Sequence, residues 1–249
     1  MKIVFDHKFG AQEHVHLEHY SATLVDVYED EVDIALAQGW LTDLKDNGDY
    51  YWYQCRSTRC KLSEFTAKDP CVDVAEREFI DNNKTIFYAM NPSLSVAETE
   101  NIYSDYCAYK KFNDLFHSEV TNWLDSDYKM VYYNKTNPIA WSKMRMYSES
   151  ALETVLFAWN YTDPKLSVGT NSLIHEINWA KENSFQYVYL GPGYEAGSIY
   201  KADINGFEWW TGSEWSTNTV EYIRLCKRDS SLSSIKQLSE LYVLGSLRP

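Results

Sequence analysis

No stretch of this 249-residue sequence is apolar for long enough to cross a bilayer, which takes about 20 predominantly apolar residues in a helix. The start, Met1-Lys2-Ile3-Val4-Phe5, runs at once into Asp6 and His7, so the apolar core of a signal peptide is lacking too. The five cysteines are odd in number and widely spaced, which excludes a disulfide framework. These absences predict a reducing, cytoplasmic setting with no membrane partner, in which the N-x-T sequons at Asn83, Asn134 and Asn160 are chance matches. No Pro/Gly/Ser-rich linker, internal repeat or low-complexity block divides the chain. Positive charge is scarce: 23 basic against 36 acidic side chains, a formal net charge of -13. A surface that grips a polyanion over a wide area is thereby excluded. A local basic patch remains open, with Arg56, Arg59 and Lys61 beside Tyr50, Tyr51, Trp52 and Tyr53 as its members; a solvated charge cluster on a strand edge or loop is the plainer reading.

Hydrophobic content of 45% and charged content of 24% are those of an ordinary globular protein, and the length suffices for a full core. Aromatics are abundant, with 20 Tyr and 9 Trp, and serve either a pocket or the core. Near the start, His14 and His16 would point the same way on a strand and could take part in a zinc site, but nothing nearby completes four ligands, so a polar strand face is expected. Residues 25–40 predict a helix with an acidic start, a stop at Gly39, and Tyr28, Val32, Ala35 and Leu36 buried. An Asn47-Gly48 turn leads into an aromatic strand. Ser95 to Phe116 predicts a helix whose Ile102, Tyr106, Tyr109, Phe112 and Phe116 recur at helical spacing. Trp141 to Tyr147 predicts a strand with Lys143 and Arg145 on one face and Met144 and Met146 on the other. Val220 to Cys226 predicts a last strand, and a helix is expected from Ser233.

The richest stretch is Leu152 to Trp215. Leu152 to Trp159 is apolar with β-branched and aromatic content and stops at Asn160 and Asp163-Pro164, which predicts a strand and a turn. Ser167, Gly169, Thr170, Asn171 and Ser172 supply backbone freedom and N-caps for a helix over 172–183, with Leu173, Ile174, Ile177 and Ala180 at helical spacing. A second strand follows, with Phe185, Tyr187 and Tyr189 on one face, ended by Gly191-Pro192-Gly193. A slot is expected where the two strands part, with the helix N-terminus offering free N–H groups to a phosphate or carbonyl oxygen.

SVGTNSLIHEINWAKENSFQYVYLG followed by SIYKADINGFEWW resembles the C-terminal half of the arginyl- and leucyl-tRNA–protein transferases, whose pattern is S-L-G-T, a helix with an E-I pair, then Y-x-Y-L-G and Y-K. Ser167, Gly169, Thr170, Glu176, Ile177, Tyr187, Tyr189, Leu190, Gly191, Tyr200 and Lys201 fall on the motif positions. The resemblance implies an α/β (α+β) fold with a GNAT-like mixed sheet flanked by helices, in one or two GNAT-like halves, related to the Fem peptidyl ligases. It divides the chain into an N-terminal half, 1–120, and a C-terminal transferase half, 121–249. The family's N-terminal half carries a G-W-R, a G-x-x-x-Y strand and a C-x-x-C cluster; here Cys55 and Cys60 have four residues between them with Cys71 distant, so two plain thiols and no bound metal are expected.

The implied chemistry is aminoacyl transfer from aminoacyl-tRNA, as co-substrate with no other cofactor, to an amine of a protein, peptide or small molecule. An α-amine has a pKa near ~8, so about a tenth is neutral at physiological pH and a modest base suffices. Proximity and N–H groups at Ser167, Val168, Gly169, Thr170 and Asn171, with Tyr200, would hold the donor. Tyr187 or Tyr189 would donate to the departing ribose oxygen, Glu195 would hold the incoming amine, and Lys201 would face the donor. Tyr194, Trp209 and Trp210 would wall the acceptor pocket. After Y-L-G the family has an aromatic and Ile where this chain has Pro192-Gly193-Tyr194-Glu195. Two other readings use the same fold. An acyl-CoA N-acyltransferase would need a glycine-rich pyrophosphate loop, of which Pro164 to Gly169 holds one glycine. A non-catalytic interaction protein fits the acidic charge and the broken cysteine spacing.

Overall fold

The computed structural model describes residues 2–5, 22–25, 27–44, 50–54, 56–66, 86–90, 94–111, 127–134, 136–161, 168–193 and 196–231. Contacts divide the chain into two compact units, one of Met1–Arg59 with Gly191–Pro249 and one of Cys60–Leu190. The halves expected at 1–120 and 121–249 are a division by family resemblance, and this division by contacts is a different one.

The first unit holds a four-stranded antiparallel sheet of β1 (Lys2–Phe5), β2 (Ala22–Val25), β3 (Trp40–Leu44) and β4 (Tyr50–Gln54), in the order β1-β2-β4-β3. Helix α1 (Val32–Ala37) is entered through a short 3-10 turn, Glu29–Glu31, and buries Ala35 and Leu36. Tyr28, expected inside, precedes both and is 68% exposed, because it serves as the N-cap position rather than as part of the apolar stripe. Gly39 ends this segment at φ +77, a conformation that disfavours any side chain. The Trp210 ring packs where a Gly39 Cβ would stand, 2.3 Å from its Cγ.

The other part of this unit contains β11 (Phe207–Trp210) and β12 (Trp215–Ser216), an antiparallel pair, with β11 lying beside the start of β5 (Ser57–Lys61). Val220 to Cys226, expected as a strand, lies in a helix, Thr219–Asp229. Asn218 Oδ1 caps it by accepting from Glu221 N at 3.1 Å, and Tyr222 and Cys226, four apart, share one buried face while Arg224 and Lys227 are exposed.

The second unit is a mixed sheet with a helix on each face. Its strands are β6 (Ile86–Met90), β7 (Tyr128–Asn134), β8 (Asn137–Ser148), β9 (Ala151–Trp159) and the first four residues of β10 (Tyr187–Pro192), followed by the end of β5. β6 to β9 pair antiparallel and β10 joins β9 in parallel. Helix α2 (Val96–Lys110) starts in a capping box, with Glu98 N donating to Ser95 Oγ and Ser95 N to Glu98 Oε2. It ends at Lys111, whose φ is +59; residues 112–116 of the expected helix lie outside the described residues. Ile102, Tyr103 and Cys107 pack on Val131, Trp141 and Ala158, and the Trp141 indole donates to Thr99 O at 3.2 Å.

Helix α3 (Val168–Glu182) covers the other face: Tyr132, the neighbour of Val131, donates its hydroxyl to Ser172 O at 3.1 Å. It begins four residues before the expected 172, because Val168 is fully buried and adds a turn to the apolar face. The residues expected as a loop, Val168 to Asn171, are thus its first turn. A strand, crossover helix and parallel strand in one sheet are the arrangement expected from the resemblance. Among the described residues no helix is long and apolar enough to cross a membrane.

Gly39→Ala combines a left-handed backbone with a collision against Trp210. It is expected to destabilise the protein by about 2–4 kcal/mol, measured as a lower urea midpoint by tryptophan fluorescence; an unchanged midpoint would show that the ring gives way.

Candidate active site

In the second unit the parallel register of β9 and β10 covers three pairs only, Ala151 with Tyr187, Leu152 with Val188 and Glu153 with Tyr189. Both strands run on, β9 to Trp159. Thr154 Oγ1 reaches Tyr189 O at 3.4 Å, just past the last pair. β9 is also irregular against β8, since Lys143 faces Leu156 and Met144 faces Thr154, leaving Val155 as the extra residue. The two strands part there, at the place where the slot is expected.

The start of α3 lies against the second half of β9. A Cβ on Gly169 would stand 3.6 Å from Phe157 Cε1, ordinary contact. The N–H groups of Val168, Gly169 and Thr170 precede the internal ladder of the helix and carry its positive dipole end. Ser172 Oγ turns back to Gly169 O at 2.9 Å.

Tyr187 and Tyr189 share one face of β10, with ring centroids 6.4 Å apart. Tyr189 is buried and Tyr187 half-buried. Beside Tyr189 lies Glu153, 4% exposed, whose Oε2 accepts from Tyr147 OH at 2.6 Å and Arg145 NH1 at 3.4 Å. The Tyr147 ring meets Tyr189 edge-on at 6.1 Å. Glu153, Arg145 and Tyr147 are a polar cluster that sequence reasoning missed. The signal was a glutamate inside the apolar run Leu152 to Trp159.

Glu176, on the motif's E-I pair, is buried beneath α3, and Oε1 has no hydrogen-bond partner among the described residues. Burial pushes its carboxyl up to about 8, an effect the nearby Ser142 hydroxyl only eases.

Ser167, Tyr194 and Glu195 lie outside the described residues, as do His14, His16, Cys55 and Cys71. Lys201, Tyr200, Trp209 and Trp210 belong to the first unit. Lys201 Nζ donates to Pro192 O at 2.9 Å, from a 3-10 segment, Ala196–Asp203. Tyr200 is partly exposed. Trp209 spends its N–H on Asn218 O at 3.0 Å, whereas buried Trp210 Nε1 has no partner among the described residues. The expected basic patch is not a solvated cluster. Arg56 pairs with Asp229 at 2.7 Å and Arg59 with Glu208 at 2.7 Å, both pairs largely buried, and the Arg59 guanidinium stacks 3.9 Å over Trp215. Lys61, in the second unit, pairs with Glu64 near the surface.

Residues 93–201, which span α2, both diverging strands and α3, match the family model for the C terminus of arginine-tRNA-protein transferase. The matched stretch is less than half of the chain and is similar to the C-terminal part of that family. The match supports a transferase reading, with aminoacyl transfer in general as its chemistry. No curated protein sequence gives a match. Among solved structures, similarity extends to a domain from Agrobacterium fabrum, provisionally designated the C-terminal part of a lysylphosphatidylglycerol synthetase, with 10% identity over 56% of this chain and 46% of that one and a TM-score of 0.45. It extends also to the protein designated L-PGS from Bacillus licheniformis, at 14% identity, 66% and 52% coverage and TM-score 0.45. A fungal glucosamine N-acetyltransferase region within a multi-domain β-N-acetylglucosaminidase gives 13% identity, 74% and 22% coverage and TM-score 0.41. The chain thus spans about half the length of the first two structures.

The Glu176 carboxyl ties the protein's stability to pH. Its folded value is raised from an ordinary 4.5 to about 8, so its contribution is full below 4.5 and is lost as pH rises toward 8. The slope is about 1.4 kcal/mol per pH unit. Glu176→Gln is expected to gain thermal stability over the wild type progressively between pH 5 and 8; parallel melting curves across that range would show that the carboxyl is already solvated.

Proposed function

We propose that the chain transfers an aminoacyl group from tRNA to a free amine, with the ester carbonyl of the donor held at the first turn of α3. The observation that supports this best is that the family match runs through the two diverging strands and the helix that starts beyond them. The amine attacks the carbonyl carbon, a C–N bond forms, and the bond to the ribose oxygen breaks. Negative charge passes through the carbonyl oxygen, where first-turn N–H groups of Val168 to Thr170 would stabilise it. The proton lost by the amine ends on the ribose oxygen. Tyr187, being half-buried, is better placed than Tyr189 to hand a proton over. The acceptor is an amine of a protein, peptide or small molecule, and the setting is cytoplasmic, a reading that rests on the odd number and wide spacing of the cysteines.

The roles that resemblance gives Ser167, Tyr194, Glu195, Tyr200, Lys201, Trp209 and Trp210 are separate proposals. Lys201→Ala is expected to lower turnover beyond what its lost bond to Pro192 O costs in stability, and is therefore compared at equal folded fraction. Turnover unchanged on that basis would remove Lys201 from the chemistry.

The decisive experiment supplies the purified protein with a panel of radiolabelled aminoacyl-tRNAs and an amine acceptor. Consumption of one charged tRNA is expected; consumption of an acyl-CoA instead, with no charged tRNA used, would overturn the reading. Thr170→Pro removes one first-turn N–H at a helix position that tolerates proline. It should lower turnover about 100-fold with a melting temperature close to wild type. Unchanged turnover would take that N–H out of the site.

A further inference from the structure

At one end of the second unit, aromatic rings form a short column. Tyr161, just past β9, has its ring centroid 3.9 Å from Trp159 and 3.5 Å from Tyr109, with the two tyrosine planes 11° apart. Tyr106 continues the group, stacked on Tyr161 at 6.2 Å. Tyr161 has φ +51, a left-handed conformation that an aromatic residue rarely adopts and that the surrounding packing must hold. Tyr109, at the end of α2, closes the column yet is 56% exposed. A flat ring already stacked on one side, with much of its surface open to solvent, has the shape that takes another flat ring.

Charge narrows what that ring is. Lys110 and Lys111 follow Tyr109 directly and are exposed, while Asp105, one turn earlier, is the nearest acid on the same helix face. An exposed aromatic ring followed in sequence by two exposed lysines suits a base joined to phosphate, because stacking accepts any base and the lysines neutralise the backbone. The six residues 162–167 join Tyr161 to the first turn of α3, so the column and the helix start bracket one connection.

We propose that Tyr109, backed by Tyr161 and Trp159, is a stacking platform for a nucleobase of the single-stranded 3′ end of the RNA donor, with Lys110 and Lys111 on its phosphates. This rests on the tRNA-dependent reading above and adds the place where the unpaired end is held. It also reconciles an RNA donor with a net charge of -13, since one stacked base and two cations need little positive surface.

The test is fluorescence anisotropy of the full chain with a dye-labelled single-stranded oligoribonucleotide ending in cytidine-cytidine-adenosine. Tyr109→Ala is expected to raise Kd about tenfold, Tyr109→Trp to keep it near wild type, and Lys110→Ala with Lys111→Ala to flatten the salt dependence. Because Tyr109 is exposed, the alanine variant should fold, which its melting temperature checks. An unchanged Kd in Tyr109→Ala overturns the platform. Coenzyme A that displaces the oligoribonucleotide from wild type, and binds more weakly to Tyr109→Ala, would give the platform to the adenine of an acyl-CoA and overturn the RNA assignment. The two readings fail separately. Tyr109-dependent oligoribonucleotide binding without consumption of charged tRNA supports the platform and sinks the activity. Consumption of charged tRNA with the same KM in wild type and Tyr109→Ala sinks the platform alone.

Discussion

The parallel pairing of β10 on β9 is the constraint from which the second unit follows. Two parallel neighbours cannot be joined by a tight turn, so the chain must cross back over the sheet, and α3 is that crossover. With a register of only three pairs, the strands part while β9 still has six residues to run, and backbone groups along the opening must find partners other than each other. The opening and the helix start that faces β9 are therefore products of one connection. A longer register would zip the slot shut.

Two buried glutamates in that unit show different solutions to the same problem. Glu153 is accommodated by partners, with the Tyr147 hydroxyl and the Arg145 guanidinium on one oxygen. Glu176 is accommodated by protonation, since burial holds its proton up to about pH 8. Charge that is paired can stay; charge that is not must be neutralised. The first arrangement places an anion beside Tyr189, and the second keeps the underside of α3 uncharged at neutral pH.

The basic residues illustrate why a charge count misleads about partners. In the first unit Arg56 and Arg59 face Asp229 and Glu208 across 2.7 Å and are largely removed from solvent. They hold that unit's segments together, with Arg59 also under Trp215. Their positive charge is spent internally. The cations left open to solvent include Lys110 and Lys111, which follow the exposed ring of Tyr109.

What the sequence by itself determined was local order. Leu152 to Trp159 as a strand, the apolar spacing of the following helix, and the S-V-G-T, Y-V-Y-L-G and Y-K pieces were all legible, because β-branched runs, helical periodicity and motif order are written within a few residues of one another. Burial was not. Whether Val168 opens a helix or closes a loop depends on the sheet beneath it, and Val220 to Cys226 reads as a strand until Tyr222 and Cys226 are seen to share one buried helical face. Glu153 gained its partners only through cross-strand register with Arg145, and Tyr109 became a half-open ring only because Tyr161, 52 positions away, stacks on its other side. Such neighbours are set by non-local pairing, which no window of sequence contains.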